Sequence, residues 1–236
     1  MYAIVDVAIT YDSTRAITTT KKDDREFWVK MYDLETSDLT FEEQVGGLPD
    51  SFIRLKEVEQ NSTGKKYAFV YIDDGNFKMR YFDKKQRTND EIARTEVDIN
   101  KLIGINNFTM PIQGFADPFI VCTFITDDLI FIALFYNATL THYHFIYDCS
   151  KRKIHGKVFS TNLQCTKKNF PYKSFYNDQD NMVYIFYRQG QAINVNGSNP
   201  METTIEQMTD QDLGQMFLFN NKALIARSSS RILFFK

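Results

Sequence analysis

The chain has 236 residues, of which 43% are hydrophobic and 15% are aromatic. Its 28 basic and 30 acidic residues give a formal net charge of −2, which argues against bulk attraction to nucleic acid or to anionic lipid. No run of about 20 apolar residues occurs, so we expect no membrane span. Because aromatic side chains suit a pleated, half-buried surface, the 21 Phe and 13 Tyr favour strands over helices.

Two predicted units of four strands come first in the chain, with turn residues between strands of ordinary length. The unit at residues 3–45 has predicted strands at 3–10, 15–21, 26–32 and 39–44. The unit at residues 52–97 has predicted strands at 52–59, 67–72, 77–82 and 92–97. Each of these two units is therefore predicted to be a four-stranded antiparallel meander.

A connector follows the second unit, and its Gly104, Pro111, Gly114 and Pro118 interrupt it too often for a long helix. The third unit, at residues 119–160, has predicted strands at 119–126, 129–136, 141–147 and 153–160. Residues 129–136 are apolar on both faces, so we expect this strand in the packed layer between neighbouring sheets.

The last two predicted units differ in completeness. The unit at residues 173–208 has predicted strands at 173–176, 182–187, 191–195 and 203–208. The unit at residues 216–236 has only three, at 216–219, 223–227 and 231–235. An open sheet edge exposes unpaired backbone groups, so either Met1 to Val5 supplies the missing strand or the chain is part of a longer array. We expect one domain over residues 1–236.

Three predicted third strands end in the same way, with an aromatic residue followed by Asp. The pairs are Tyr32-Asp33, Phe82-Asp83 and Tyr147-Asp148. A hairpin unit that recurs every few dozen residues cannot close a hydrophobic core alone, so it must stack on copies of itself. A simpler interpretation is that any hairpin favours an aromatic residue at the strand end and Asp in the turn.

These strand ends resemble those of the WD-repeat family of β-propellers, in which a third strand ends in Trp-Asp. The resemblance implies an all-β fold, a propeller-like array of about five units of four-stranded antiparallel blades, the last of them incomplete. The Gly-His pair of that family is not visible, so its His-to-Asp network is not carried over. A sandwich, a barrel and an incomplete array stay open as alternatives.

His142 and His144 are two residues apart on a predicted strand, so they share a face, a spacing compatible with metal binding. No third ligand is fixed by the sequence. We therefore expect an exposed strand face, without zinc or any other cofactor.

Paired acids occur at 23–24, 42–43, 73–74 and 127–128, where adjacent carboxylates in hairpin turns point apart. No nucleophile elbow, phosphate-binding glycine loop or Cys-x-x-Cys motif occurs, so we do not expect an enzyme.

Two basic clusters follow the aromatic-Asp strand ends, and in a propeller both would lie in loops on the same rim. Their charged members are Lys84, Lys85, Arg87, Lys151, Arg152 and Lys153. Such a rim suits an acidic partner surface, RNA or a phosphorylated segment. Lysine-rich hairpin loops are also common for solubility and for blunting strand edges.

The sequence thus predicts a non-enzymatic scaffold that binds other proteins within a multi-subunit assembly. A carbohydrate hydrolase on a five-bladed ring and an RNA-associated propeller stay open as alternatives, although nucleic acid is not the expected partner. Cys122, Cys149 and Cys165 are odd in number and are predicted to be reduced. That expectation favours the cytoplasm, with a cytoskeletal or ciliary assembly as the setting by analogy with the family.

Overall fold

The computed structural model describes residues 3–9, 15–21, 27–45, 53–60, 66–73, 76–83, 96–106, 120–136, 139, 141–161, 171–187, 190–201, 203–207, 216–219, 223–227 and 232–235. In these residues the chain forms nineteen strands and one short helix. The elements are β1 (Ala3–Ile9), β2 (Arg15–Lys21), β3 (Phe27–Asp33), β4 (Leu39–Val45), β5 (Ile53–Gln60), β6 (Lys66–Asp73), β7 (Asn76–Asp83), β8 (Glu96–Asp98), α1 (Ile99–Ile103), β9 (Ile120–Phe124), β10 (Leu129–Tyr136), β11 (Thr141–Asp148), β12 (Lys153–Thr161), β13 (Pro171–Asn177), β14 (Met182–Tyr187), β15 (Gln191–Asn196), β16 (Thr203–Gln207), β17 (Met216–Phe219), β18 (Ala223–Arg227) and β19 (Ile232–Phe235).

The strands pair in chain order, as expected for a series of meanders. Four sheets have four strands each, β1–β4, β5–β8, β9–β12 and β13–β16, and the strands β17–β19 form a three-stranded sheet. Each pairing whose register is described is antiparallel. The predicted all-β fold and the three-stranded last unit are confirmed. Each aromatic-Asp pair ends the third strand of its sheet, as predicted.

Part of the segment proposed to complete the last unit lies in the first sheet. Residues 3–5 lie in β1, which pairs with β2 from Ala3 opposite Lys21 to Ile9 opposite Ala16. The predicted pairing of Met1 to Val5 with the last unit stays a prediction.

The chain divides into two compact units, Met1–Asp128 and Leu129–Lys236. In the first unit, the second sheet shows the alternation of a strand with one buried face. Val70, Ile72, Phe77 and Met79 are at most 1% exposed. Between Phe77 and Met79, Lys78 points to the other face, where it lies 3.4 Å from the carboxylate of Glu96.

The helix α1 was not among the predicted elements. Asp98 begins it by accepting a hydrogen bond from the backbone N–H of Lys101 at 3.1 Å, and Gly104 ends it with φ +73°. Asn100 is buried and joins the helix to β7, because its Oδ1 accepts from Phe77 N at 2.9 Å. The helix has five residues, and residues 107–119 of the connector lie outside the described residues.

In the second unit, β10 is buried on both faces, as its sequence predicts. Ile130, Phe131, Ile132, Ala133, Leu134 and Phe135 are all 0% exposed. Neighbouring residues of a strand point to opposite faces, so both faces of β10 are covered by other apolar groups. In β11, only Tyr143 is more than slightly exposed.

Two of the three cysteines lie in the part of the chain that the structure describes. Cys122 and Cys149 are buried and reduced, whereas Cys165 lies outside the described residues. The part of the chain that the structure describes contains no helix with the length and apolarity needed to cross a bilayer.

Alanine substitutions should distinguish a strand buried on both faces from a strand buried on one. We expect Phe131→Ala and Ile132→Ala, at neighbouring positions of β10, each to lower the free energy of unfolding by about 2–5 kcal/mol. In β7, Met79→Ala should do the same, whereas Lys78→Ala should change it by less than about 1 kcal/mol. Urea denaturation measures all four, and an unchanged midpoint for either β10 variant would show that its face is not buried.

Candidate functional site

Three of the six predicted rim residues lie in the described part of the chain, and all three are exposed. Lys151 and Arg152 lie in the turn between β11 and β12, and Lys153 is the first residue of β12. We call these three residues the basic turn. Lys84, Lys85 and Arg87 lie outside the described residues.

A buried carboxylate fixes the start of the basic turn. Asp148 ends β11 and is 4% exposed. Its Oδ1 accepts hydrogen bonds from the Ser150 hydroxyl at 2.7 Å and from the backbone N–H of Lys151 at 2.9 Å. The Lys151 ammonium lies 3.1 Å from Oδ2. These bonds, led by that of Ser150, hold the pKa of Asp148 well below its usual range against the effect of burial.

A side-chain oxygen also accepts from backbone N–H groups in the turns that follow the third strands of the first and fourth sheets. Asp33 Oδ1 accepts from the backbone N–H groups of Glu35 at 2.9 Å and Thr36 at 3.0 Å. Asn196 Oδ1 accepts from those of Ser198 at 2.9 Å and Asn199 at 3.2 Å. The aromatic-Asp signature missed Asn196 because neither an aromatic residue nor Asp stands there. The shared chemistry, an Asx side chain that accepts from the next turn, was the available signal.

Arg152 adopts a backbone conformation that arginine rarely takes. Its φ is +54°, in the left-handed region. The β13–β14 turn has the same length between its paired strand ends, and Asn181 occupies the matching position with φ +56°. Asn tolerates this region, whereas a longer side chain there costs about 1–2 kcal/mol. The chain thus keeps a strained, exposed arginine where Asn or Gly would fit without strain.

The two strand histidines are not on an exposed face, so that expectation is wrong. His142 and His144 are both 0% exposed. They alternate with Tyr143 and Phe145, and such alternation of large side chains is equally compatible with a strand covered on both faces. The rings of Phe131 and Phe159 lie 5.7 and 4.5 Å from that of His144, centroid to centroid.

A series of hydrogen bonds runs through both imidazoles. The carbonyl group at its end determines which ring nitrogens carry a proton. The carbonyl of Pro200 only accepts, so His144 donates to it from Nε2, at 2.6 Å. His144 Nδ1 is then an acceptor, and it receives the Nε2 proton of His142 at 3.2 Å. The remaining nitrogen, His142 Nδ1, accepts the hydroxyl proton of Tyr187. This single arrangement satisfies both rings in the neutral form.

The surroundings keep both imidazoles neutral. Burial lowers the pKa of His144 to about 4, although the bond to Pro200 acts in the opposite direction. Burial first, and the neighbouring His144 second, hold the pKa of His142 well below its usual range. Since each ring nitrogen already has a hydrogen-bond partner, neither histidine has a lone pair left for a metal. Among the described residues, no group of three or more His, Cys, Asp and Glu side chains is arranged to hold an ion.

Two of the paired acids, Glu42 and Asp128, form ion pairs with lysines. Asp127 and Asp128 lie in the turn between β9 and β10, and Asp128 pairs with Lys66. Glu42 lies on β4, where its carboxylate is 2.6 Å from Lys30 Nζ. Asp23, Asp24 and Asp74 lie outside the described residues. Such lysine pairs are typical of structural ion pairs on a sheet surface.

Solved structures of other proteins have a backbone similar to that of this chain. The chain is similar to the β-propeller domain of Cps50 (Swd1) from Myceliophteria thermophila, with 12% identity, a TM-score of 0.57, and coverage of 98% of this chain and 66% of that one. It is also similar to a chain in the crystal structure of the mitotic checkpoint complex, with 10% identity, a TM-score of 0.59, and coverage of 99% and 60%. The chain therefore spans slightly less than two thirds of the length of each of these similar chains. No family model and no curated protein matches it.

Histidine-ring NMR should detect the chain of hydrogen bonds directly. We expect His142 and His144 to be neutral at pH 7, each with its proton on Nε2. Because the folded-state pKa values are lowered from 6.5, the unfolded chain takes up protons first as the pH falls. Stability is then full above about pH 6.5 and declines towards pH 4, by up to about 1.4 kcal/mol per pH unit for each histidine. A charged ring, or an Nδ1 proton on either ring, at pH 6 would contradict the arrangement.

Glycine at position 152 should relieve the strain in the basic turn. We expect Arg152→Gly to raise the free energy of unfolding by about 0.5–1 kcal/mol, because glycine adopts a positive φ without a Cβ clash. Lys153→Gly removes the same charge from a strand residue and should lower the free energy of unfolding by a similar amount. Thermal denaturation compares the two, and equal changes would show that charge rather than backbone conformation sets the stability of the turn.

Proposed function

We propose that this chain, which has the fold of a WD-repeat-like β-propeller, is a non-enzymatic scaffold that binds other proteins within a multi-protein assembly. The observation that carries the proposal is the basic turn. It combines exposed charge, a rigid attachment to a buried strand and a strained arginine, and stored strain of this kind clusters at functional sites. One similar structure is that of a complex, the mitotic checkpoint complex, which supports an assembly role by analogy.

The attachment of the turn suits a docking surface. Asp148 is buried at the end of β11 and bonds to Ser150 and Lys151, so the turn is held by the core of its sheet. Lys151 is partly neutralised by Asp148, which leaves Arg152 and Lys153 to present most of the free charge. Charges at the rim of an interface steer the encounter with an oppositely charged partner and favour the correct orientation.

Several expectations from the sequence belong to the same proposal. They are a single domain over residues 1–236, a rim shared with Lys84, Lys85 and Arg87, and a cytoplasmic location with a cytoskeletal or ciliary assembly as its setting. Lys84, Lys85 and Arg87 also follow the aromatic-Asp end of a third strand. Their support for a common rim rests on that sequence position alone.

Affinity capture with charge-reversed variants tests the scaffold role. The tagged chain is used to capture proteins from native extract, and a partner found in this way is then purified and its affinity measured. We expect Arg152→Glu/Lys153→Glu to weaken binding by roughly tenfold or more, since two attractive charges become repulsive.

Lys101→Glu is the control, because Lys101 is an exposed lysine on α1, outside the basic turn. It should bind the partner as the unmodified chain does. If no protein is specifically captured, the scaffold role is wrong. If the charge-reversed variant binds as tightly as the control, the basic turn is not the docking surface.

A further inference from the structure

The longest stretch without an acidic side chain surrounds the basic turn. Between positions 149 and 177 the chain has seven Lys and Arg residues and no Asp or Glu, although its formal net charge is −2. The rest of the chain therefore carries the excess of acidic residues. A segregation of charge this strong creates a local positive field that the overall net charge conceals.

The described part of this stretch places its cations close together on an exposed surface. Arg152, Lys153 and Lys157 are exposed, as is His155 between them. Lys153 and Lys157 lie on β12, within about 13 Å of each other along the strand. Among the described residues, no ion pair joins Arg152, Lys153 or Lys157 to a carboxylate, so their charges are available to a ligand.

β12 is an edge strand of its sheet, and a bulge interrupts it. His155 lies opposite Ile146 and Phe159 lies opposite His144, so residues 156–158 face a single residue of β11. Gly156 has φ +83°, and the space where a Cβ would lie is open to 4 Å. A bulged edge is a poor template for a regular added strand, but it allows a partner backbone to approach closely beside the cations.

We infer that residues 151–157 form a docking site for an acidic polypeptide segment, one rich in Asp and Glu. The inference deepens the proposed scaffold function and rests on it. The charge complementarity comes from Lys151, Arg152, Lys153 and Lys157. The bulge indicates that recognition uses the side-chain charges more than continuous backbone pairing, so binding weakens as salt is added.

The position of the aromatic residue in this segment favours an acidic polypeptide over RNA as the ligand. Single-stranded RNA is usually held by bases that stack on exposed aromatic rings. In β12 the aromatic residue is Phe159, and its ring is stacked on the buried His144, with 4.5 Å between the centroids. Lysine also outnumbers arginine here, and it lacks the planar fork that pairs bidentately with phosphate.

Fluorescence anisotropy with the purified full chain tests the inference. The probes are a labelled peptide of ten glutamates, a labelled neutral Gly-Ser peptide of the same length and a labelled oligouridine of ten nucleotides. We expect the glutamate peptide to bind, and raising the salt from 50 to 200 mM to weaken it by roughly tenfold. The neutral peptide should not bind.

Charge-removing variants then locate the site. We expect Arg152→Gln/Lys153→Gln/Lys157→Gln to weaken binding of the glutamate peptide at least about tenfold, and Lys101→Gln to leave it within about twofold. Thermal denaturation confirms that both variants are folded. Unchanged binding by the triple variant, or tighter binding of oligouridine than of the glutamate peptide, would overturn the inference.

The two proposals fail in different ways. If a protein partner binds through Arg152 and Lys153 but the glutamate peptide does not bind, the acidic-segment inference is wrong and the scaffold role stands. If the glutamate peptide binds at the predicted residues but no protein partner is captured, the charge site stands and the scaffold role is wrong.

Discussion

The burial of both faces of β10 and β11 is the constraint on which the second unit depends. A strand that is apolar on one face can leave the other in water, but Ile130 to Phe135 have no exposed face. Every polar group that shares this layer must therefore find its partner inside the protein, because an unpaired buried donor or acceptor costs about 1–3 kcal/mol. His142 and His144 satisfy this requirement by bonding to each other, to Tyr187 and to Pro200.

The direction of that hydrogen-bonded chain follows from one carbonyl group. Pro200 lies in the connection after β15, and Tyr187 ends β14, so β11 is joined to two places in the fourth sheet. A proton added to either imidazole would reverse the bond to Tyr187, whose hydroxyl oxygen would then accept from His142 Nδ1, and it would place a positive charge in a buried layer. The neutral state of both rings is therefore favoured by burial. The network stabilises the packing of these sheets and leaves no ring nitrogen for chemistry.

The sequence predicted the strands, their order and most of the turns, because period-two alternation and turn residues are local signals. It did not predict the burial of His142 and His144, because burial depends on which other strands cover a face. It also missed α1, whose five residues are too few for a helical period, and Asn196, because the aromatic-Asp signature excludes the Asn side chain that closes a turn in the same way. The exposure of Arg152 was predictable, whereas its left-handed backbone was not.

The basic turn and the buried end of β11 therefore differ in burial and in backbone strain, although their residues are neighbours. Asp148 is buried, charged and fully engaged, and four residues later Arg152 is exposed and strained. At the left-handed position of matching four-residue turns, the chain has Ser37 in the first sheet and Asn181 in the fourth, and both side chains are shorter than that of Arg152 and uncharged. Departures from local rules in an otherwise consistent fold are expected at functional positions. Arg152 is such a departure, and it lies in the most basic part of the chain. Its positive charge therefore explains its presence at this position better than its backbone conformation does.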